Sequence, residues 1–174
     1  MLKNEKIFLR AIEPSDVEIL YKWENNPSVW EVSNTYIPFS KNTLEQYAQS
    51  VHDIFSQKQL RLIICLNNTG SLVGCIDLFE YEPIHKRAGL GIFIAEEYRH
   101  AGIASMALDL LMEYAFSILD LHQIYCNILS DNTVSIKLFT SKGFVACGHK
   151  KDWIKSNGKY KDEFMFQLIK NGKE

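Results

Sequence analysis

The segment Glu96-Glu97-Tyr98-Arg99-His100-Ala101-Gly102-Ile103-Ala104 joins an apolar run to a long amphipathic stretch, and it dictates how the centre of this chain is built. The run Ala88-Gly89-Leu90-Gly91-Ile92-Phe93-Ile94 reads as a strand. Ser105–Leu119 reads as a helix, with Ala104, Ala107, Leu108, Leu111, Ala115 and Leu119 recurring at intervals that place them on one face. A loop that enters a helix through Arg-x-x-Gly-x-Ala presents free backbone N–H groups and the positive end of a helix dipole, which suits a phosphate or pyrophosphate. Its small residues, Ala101, Gly102 and Ala104, let a ligand approach the backbone closely.

A chain of 174 residues is most simply one domain with a sizeable core. A formal charge of −2 argues against a general nucleic-acid binder. No window approaches the roughly 18 apolar residues of a membrane span, and no signal peptide is expected behind Met1-Leu2-Lys3-Asn4-Glu5-Lys6. Cys65, Cys75, Cys126 and Cys147 fall in separate apolar, strand-like runs with no Cys-x-x-Cys pair. Buried free thiols in a reducing cytoplasm are therefore expected for all four.

The remaining elements alternate. Ile7–Ile12 reads as a strand, and Pro14-Ser15-Asp16 starts a helix whose stripe is Val17, Leu20, Tyr21 and Trp23. Ser28–Ser40 has no clean period and reads as a loop. Ser40 or Asn42 caps a second helix running to about Gln57, with Leu44, Tyr47, Val51, Ile54 and Phe55 on one face and His52 at its surface or in packing. Leu60–Leu66 and Leu72–Tyr81 form a hairpin about Asn67-Asn68-Thr69-Gly70, and the strand Arg87–Ile94 follows. After the long helix come a strand, Gln123–Leu129, and a short helix, Thr133–Lys142, closed by Gly143. Phe144–Ile154 and Tyr160–Ile169 flank Ser156-Asn157-Gly158 as a terminal hairpin. This order predicts an α+β architecture, a mixed and mostly antiparallel sheet with helices on both faces.

The motif Arg99-His100-Ala101-Gly102-Ile103-Ala104, with Asn132, Leu138-Phe139 and Gly143-Phe144 downstream, resembles the GNAT superfamily of acetyl-CoA-dependent N-acetyltransferases. The resemblance runs from Phe8-Leu9-Arg10 to the terminal hairpin and implies the GNAT acyl-CoA N-acyltransferase fold over 1–174. Within the superfamily the chain is most similar to spermidine/spermine N-acetyltransferases, with ribosomal-protein alanine acetyltransferases as near cousins. The segments Ile84-His85-Lys86-Arg87-Ala88, Tyr114–His122 and Asn157–Asp162 carry that finer likeness.

The resemblance implies acetyl-CoA as cosubstrate. The backbone of Ile92, Phe93 and Ile94 would pair with the pantetheine amides. The N–H groups of Arg99, His100, Ala101, Gly102, Ile103 and Ala104 would hold the pyrophosphate with help from the Arg99 guanidinium, and Asn132 would bond the pantetheine arm. Arg87–Ile94 and Gln123–Leu129 would splay to leave the cleft. The implied reaction is direct attack of a neutral primary amine on the thioester in a ternary complex. An alkylamine of pKa ~10.4 then needs a base, and the leaving thiolate gains from a proton donor. Family members commonly supply that donor as a Tyr at the position of Phe139, which has no proton to give. Tyr125 and Ser141 are the nearby hydroxyls; the alternatives are departure without an acid, or a binding protein with little turnover.

For the base, Asp77, Glu80 and Glu82 are the available carboxylates, and a regular strand would point Asp77 and Glu80 to opposite faces. Glu96 and Glu97 read as solvated flanks. The histidines lack metal-ligand spacing, and no catalytic metal is expected. Trp30, Tyr36 and Phe39 are loop aromatics suited to stacking on a cation or to sealing the core. Trp30, Tyr36 and Asp77 are the candidate acceptor contacts. The subfamily pattern has adjacent glutamates before the loop proline, where this chain has Tyr36-Ile37-Pro38, with Glu31 close by. A polyamine such as spermidine or spermine leads as acceptor. The alternatives are a peptide or ribosomal-protein N-terminus, and a regulator that binds acetyl-CoA without turnover. The other expectations are a cytoplasmic protein without nucleic-acid or membrane partners, forming a dimer or larger homo-oligomer through the terminal hairpin by family analogy.

Overall fold

A computed structural model describes residues 2–33, 35–50 and 53–170. Its framework is one eight-stranded sheet in the order β1-β2-β3-β4-β5-β6-β8-β7. The strands are β1 (Leu2–Lys3), β2 (Ile7–Ala11), β3 (Leu60–Leu66), β4 (Leu72–Glu82), β5 (Arg87–Ile94), β6 (Gln123–Leu129), β7 (Val145–Ser156) and β8 (Lys159–Ile169). The helices are α1 (Val17–Glu24), α2 (Pro27–Ser33), α3 (Lys41–Gln49), α4 (Ile54–Gln57), α5 (Ile103–Ser117) and α6 (Thr133–Ser141). Every neighbouring pair is antiparallel except β5 and β6, which run parallel.

Alternation along the strands produces two cores. Ile76 and Leu78 of β4, Leu90 of β5, and Ile124, Cys126 and Ile128 of β6 face α5 and α6, where Ala107, Leu108, Leu111, Ala115 and Phe139 cover them. Ile63 and Cys65 of β3 and Cys75 of β4 point the other way, onto Leu20 and Trp23 of α1 and Leu44 and Ala48 of α3. Each fully buried aliphatic side chain of this kind contributes roughly 1.5–3 kcal/mol of transfer free energy.

Three expectations change. Pro27–Ser33 is a helix where a loop was expected: Pro27 opens it, the Asn26 side chain accepts from Ser28 N at 3.0 Å, and Trp30 Nε1 donates to Glu24 O at 2.8 Å. Its apolar contact with the core is short, so no helical period shows in the sequence. The expected helix to Gln57 is two pieces. Ser40 caps α3, as the sequence suggests, by accepting from Thr43 N, and Ser50 leaves it in an extended conformation. Asp53 then caps α4 anew by accepting from Phe55 and Ser56 N–H groups; Val51 and His52 lie outside the described residues. The third change is Cys147, which is exposed while Cys65, Cys75 and Cys126 are buried and free. Cys147 sits where β7, an edge strand, slips register between Ala146 and Gly148. Two smaller differences are β1, which has no counterpart in the sequence reading, and α5, which spans Ile103–Ser117 rather than Ser105–Leu119.

Candidate active site

The parallel strands β5 and β6 pair only through Arg87–Gln123, Ala88–Ile124 and Gly89–Tyr125. Beyond Gly89 and Tyr125 they part, so Leu90–Ile94 of β5 faces a split in the sheet, as the splayed-strand expectation has it. At the wide end of the split stands the start of α5. His100 and Gly102 are left-handed (φ 63° and 74°), and the first backbone bond into the helix is Met106 N–H to Gly102 O at 3.2 Å. The N–H groups of Ile103, Ala104 and Ser105, in the first turn of the helix, therefore have no acceptor within it. A Cβ built on Gly102 would meet nothing within 4 Å, so the space over this helix start is open to a ligand. Free N–H donors, a dipole end and open space fit a pyrophosphate.

Arg99 is placed differently from a simple extra charge at that spot. Its Nε donates to Ile94 O at 3.1 Å, and it lines a cleft of about 210 Å3 with Lys22, Trp23, Asn26, Phe93, Ala95, Glu96 and Glu97. Asn132 caps α6, its Oδ1 accepting from Ser135 N at 3.1 Å. That leaves its amide donors for another partner.

The ladder registers put Asp77, Phe79, Gly89, Gly91 and Tyr125 on the sheet face that also carries α1. Tyr125 donates its hydroxyl proton to Glu80 where the split begins. Two features of β4 make this contact: a register shift between Phe79 and Glu82, and the left-handed backbone of Glu80 (φ 49°). Regular alternation would not turn Glu80 toward Tyr125, so this pair was invisible to strand periodicity. Burial raises the Tyr125 pKa, and the bond to Glu80 raises it further. The phenol therefore holds its proton at neutral pH.

Asp77 is occupied. Its two oxygens accept from Arg61 Nε at 2.7 Å and Nη2 at 2.9 Å, and Arg61 Nη1 also binds Glu24. Ser141 donates to Leu138 O at 2.6 Å and is exposed. Phe139 is 4% exposed and packs edge-on against Phe144, with centroids 5.1 Å apart. Of the loop aromatics, Phe39 joins the core under α1 and Trp30 is half-buried, whereas Tyr36 is 67% exposed.

A further ionic chain crosses the open side. Lys161 of β8 binds Glu31 of α2 at 2.6 Å and Asp131, next to Asn132, at 2.7 Å. Lys150 of β7 binds Glu163 at 2.7 Å and Asn127 Oδ1 at 3.0 Å. None of these partners was legible in the sequence, because each lies on a different strand or helix.

An open sheet split between two parallel strands, with bare helix N–H groups at its mouth, is the arrangement of a transferase that takes its donor as a coenzyme A thioester. Residues 6–145 match the acetyltransferase (GNAT) domain, and the chain belongs to this family, as an acetyl-CoA-dependent N-acetyltransferase. It is 29% identical over 161 residues to the spermidine N(1)-acetyltransferase of Vibrio cholerae, covering 91% of this chain and 90% of that one. With the spermidine N(1)-acetyltransferase of Escherichia coli K12 it shares 28% over 167 residues, 93% and 85% of the two chains. The fold superimposes with a TM-score of 0.87 on the crystal structure of the Vibrio cholerae spermidine N-acetyltransferase in complex with CoA and spermine, at 27% identity and covering 95% and 96% of the chains. Among the described residues no helix is long and apolar enough to cross a membrane.

Proposed function

We propose that this protein acetylates a small, cationic primary amine, with a polyamine such as spermidine or spermine as the leading acceptor. The observation that carries the reading is the charge along the open face of the split. Among the described residues, Glu24, Glu31, Asp77, Glu80, Asp131 and the buried Glu163 belong to bonded networks in which Arg61, Lys150 and Lys161 are the cations, an excess of three negative charges within those networks, with Arg87 a further cation near the Tyr125 corner. Two of the three network cations are each shared between two carboxylates. Such a surface attracts a polycation and repels anions. The likeness to spermidine N-acetyltransferases supports the same class, and the acidic function absent at Tyr36-Ile37 is met by carboxylates elsewhere on this face. The bridge from Glu31 through Lys161 to Asp131 joins α2 to the far side of the split, which favours a slender acceptor over a folded polypeptide.

Acetyl-CoA supplies the activated acetyl thioester for direct transfer in a ternary complex. In this reading the N–H groups at the start of α5, Gly102–Ala104, hold the pyrophosphate, whereas the expected Arg99 N–H is taken up by Glu96 O at 3.2 Å; the exposed backbone of Ile92–Ile94 pairs with the amides of the arm, and Asn132 Nδ2 donates to it. Glu80 takes the proton the amine must lose before it can attack. Tyr125 Oη, protonated at neutral pH, gives its proton to the departing sulfur, and the bond between Glu80 and Tyr125 then returns the proton held by Glu80 to Tyr125; the second proton, lost from the nitrogen as the amide forms, leaves to solvent. These roles suit two groups already in hydrogen-bond contact. In this reading the protein is a single catalytic domain of the cytoplasm.

The test is acetyl-CoA consumption against spermidine, spermine, neutral amines, aminoglycosides and peptides. Turnover of polyamines at micromolar KM, with neutral amines at least tenfold poorer in kcat/KM, is expected. Preference for peptides, or CoA binding with no thiol release on any acceptor, overturns it.

A further inference from the structure

The closed end of the split is blocked by a ring. A Cβ on Gly89 would stand 2.3 Å from Phe79 Cε2 and 2.6 Å from Cζ, and one on Gly91 would stand 3.7 Å from Cε1. The Phe79 ring thus lies along two residues of β5 that have no side chain, and Gly89 is required for it to do so. Its edge meets Tyr125, with ring centroids 6.2 Å apart and planes at 82°. Tyr125 belongs to the last pair that holds β5 and β6 together, so the ring stands where the strands begin to part. Phe79 is only half-buried, leaving part of the ring against open space. The bond from Tyr125 to Glu80, on the residue next to Phe79, fixes this corner.

The direction of the donor follows from the proposal above, on which this inference rests. With phosphates at the start of α5, the arm runs along β5 from Ile94 toward Gly89, and the acyl group is its leading end. We propose that Phe79, seated on Gly89 and Gly91, is a specificity-determining residue that limits the donor's acyl group to two carbons. The ring stands where the third and fourth carbons of a longer chain would go. Misfit of a single methylene in an apolar pocket changes discrimination by roughly 10–200-fold, so one ring suffices to separate acetyl from butyryl donors.

Calorimetry of the full chain without any amine tests this, using CoA, acetyl-CoA and butyryl-CoA as titrants. The wild-type protein should bind butyryl-CoA at least tenfold more weakly than acetyl-CoA. Phe79→Ala should narrow that gap to less than threefold and leave CoA affinity unchanged. Phe79→Leu, a milder truncation that retains the apolar packing, should fall between them, and kcat/KM for the two donors should shift in parallel. Equal wild-type affinities, or an undiminished gap in Phe79→Leu, overturn the proposal. Gly102→Ala separates this failure from failure of the donor placement. Undiminished CoA binding by Gly102→Ala removes the placement along β5 itself, whereas weakened CoA binding with an unchanged acyl preference in the Phe79 variants removes only the role of the ring.

Discussion

Tyr125 and Phe139 divide the question of the proton donor between a half-buried polar corner and an apolar core. Phe139 is packed on Phe144 and 4% exposed, so a hydroxyl added there enters the core and costs about 1–3 kcal/mol where it finds no partner. Tyr125 already has Glu80, and burial together with that bond raises its pKa. The group is therefore protonated at neutral pH, as a donor must be before transfer, while its raised pKa makes it a weaker acid than a free phenol near ~10. Tyr125→Phe should therefore lower kcat by about 10²–10⁴-fold, with acetyl-CoA affinity unchanged by calorimetry. Phe139→Tyr should leave kcat unchanged and lower Tm. A gain in kcat from Phe139→Tyr with no loss from Tyr125→Phe would return the donor role to the helix position. Both tyrosine and carboxylate were candidates from the sequence, but their meeting was not legible. It depends on the left-handed Glu80 and a bulge, a conformation that no glycine announces at that position.

At the scale of elements, what the sequence reveals follows from how local the signal is. The terminal hairpin is readable because Asn157 and Gly158 take the left-handed turn its two-residue loop demands (φ 49° and 78°). α5 is readable because its buried positions repeat over four turns. α2 is not, since a seven-residue helix held by Pro27, Asn26 and Trp30 has no room for a period. The break between α3 and α4 was signalled by Ser50 and Asp53, but apolar residues on two separately capped helices mimic one stripe. Under the proposed donor placement, Asn132 would serve element and site together. Its Oδ1 caps α6, and its amide is assigned to the donor. Asn132→Asp retains an oxygen at the cap and adds a charge that suits a helix N-terminus, so Tm should hold. Loss of the amide should weaken acetyl-CoA binding by about tenfold. Asn132→Ala should weaken binding equally and also lose about 1 kcal/mol of stability, read as a lower Tm. Equal Tm in both variants would remove the capping role, and undiminished binding in both would remove the ligand role.

Across the whole molecule the balance of charge is uneven in a way that net composition hides. The chain carries a formal charge of only −2, yet the networks on the open face of the split hold an excess of three carboxylates. Compensating lysines lie elsewhere, as where Lys86 and Lys170 share Asp120 at the far ends of β5 and β8. A cationic acceptor is then drawn toward the split by a field that salt screens over about 8–10 Å at physiological strength. The donor is anionic and, in the proposed placement, is held by backbone N–H groups at the other side of the split, so the two substrates would respond to different parts of the surface. Raising ionic strength from about 20 to about 300 mM, which shortens the Debye length from ~20 to ~6 Å, should raise KM for spermine more than for spermidine, and for spermidine more than for a monoamine. The kcat values should change little if, as proposed, the chemistry sits in the half-buried Tyr125 corner, which salt screens weakly. Glu31→Gln and Glu163→Gln should each flatten the salt dependence for spermine. A KM that is indifferent to salt for all three amines would show that the excess charge does not guide the acceptor, and would point to recognition by the apolar and aromatic groups of the face instead.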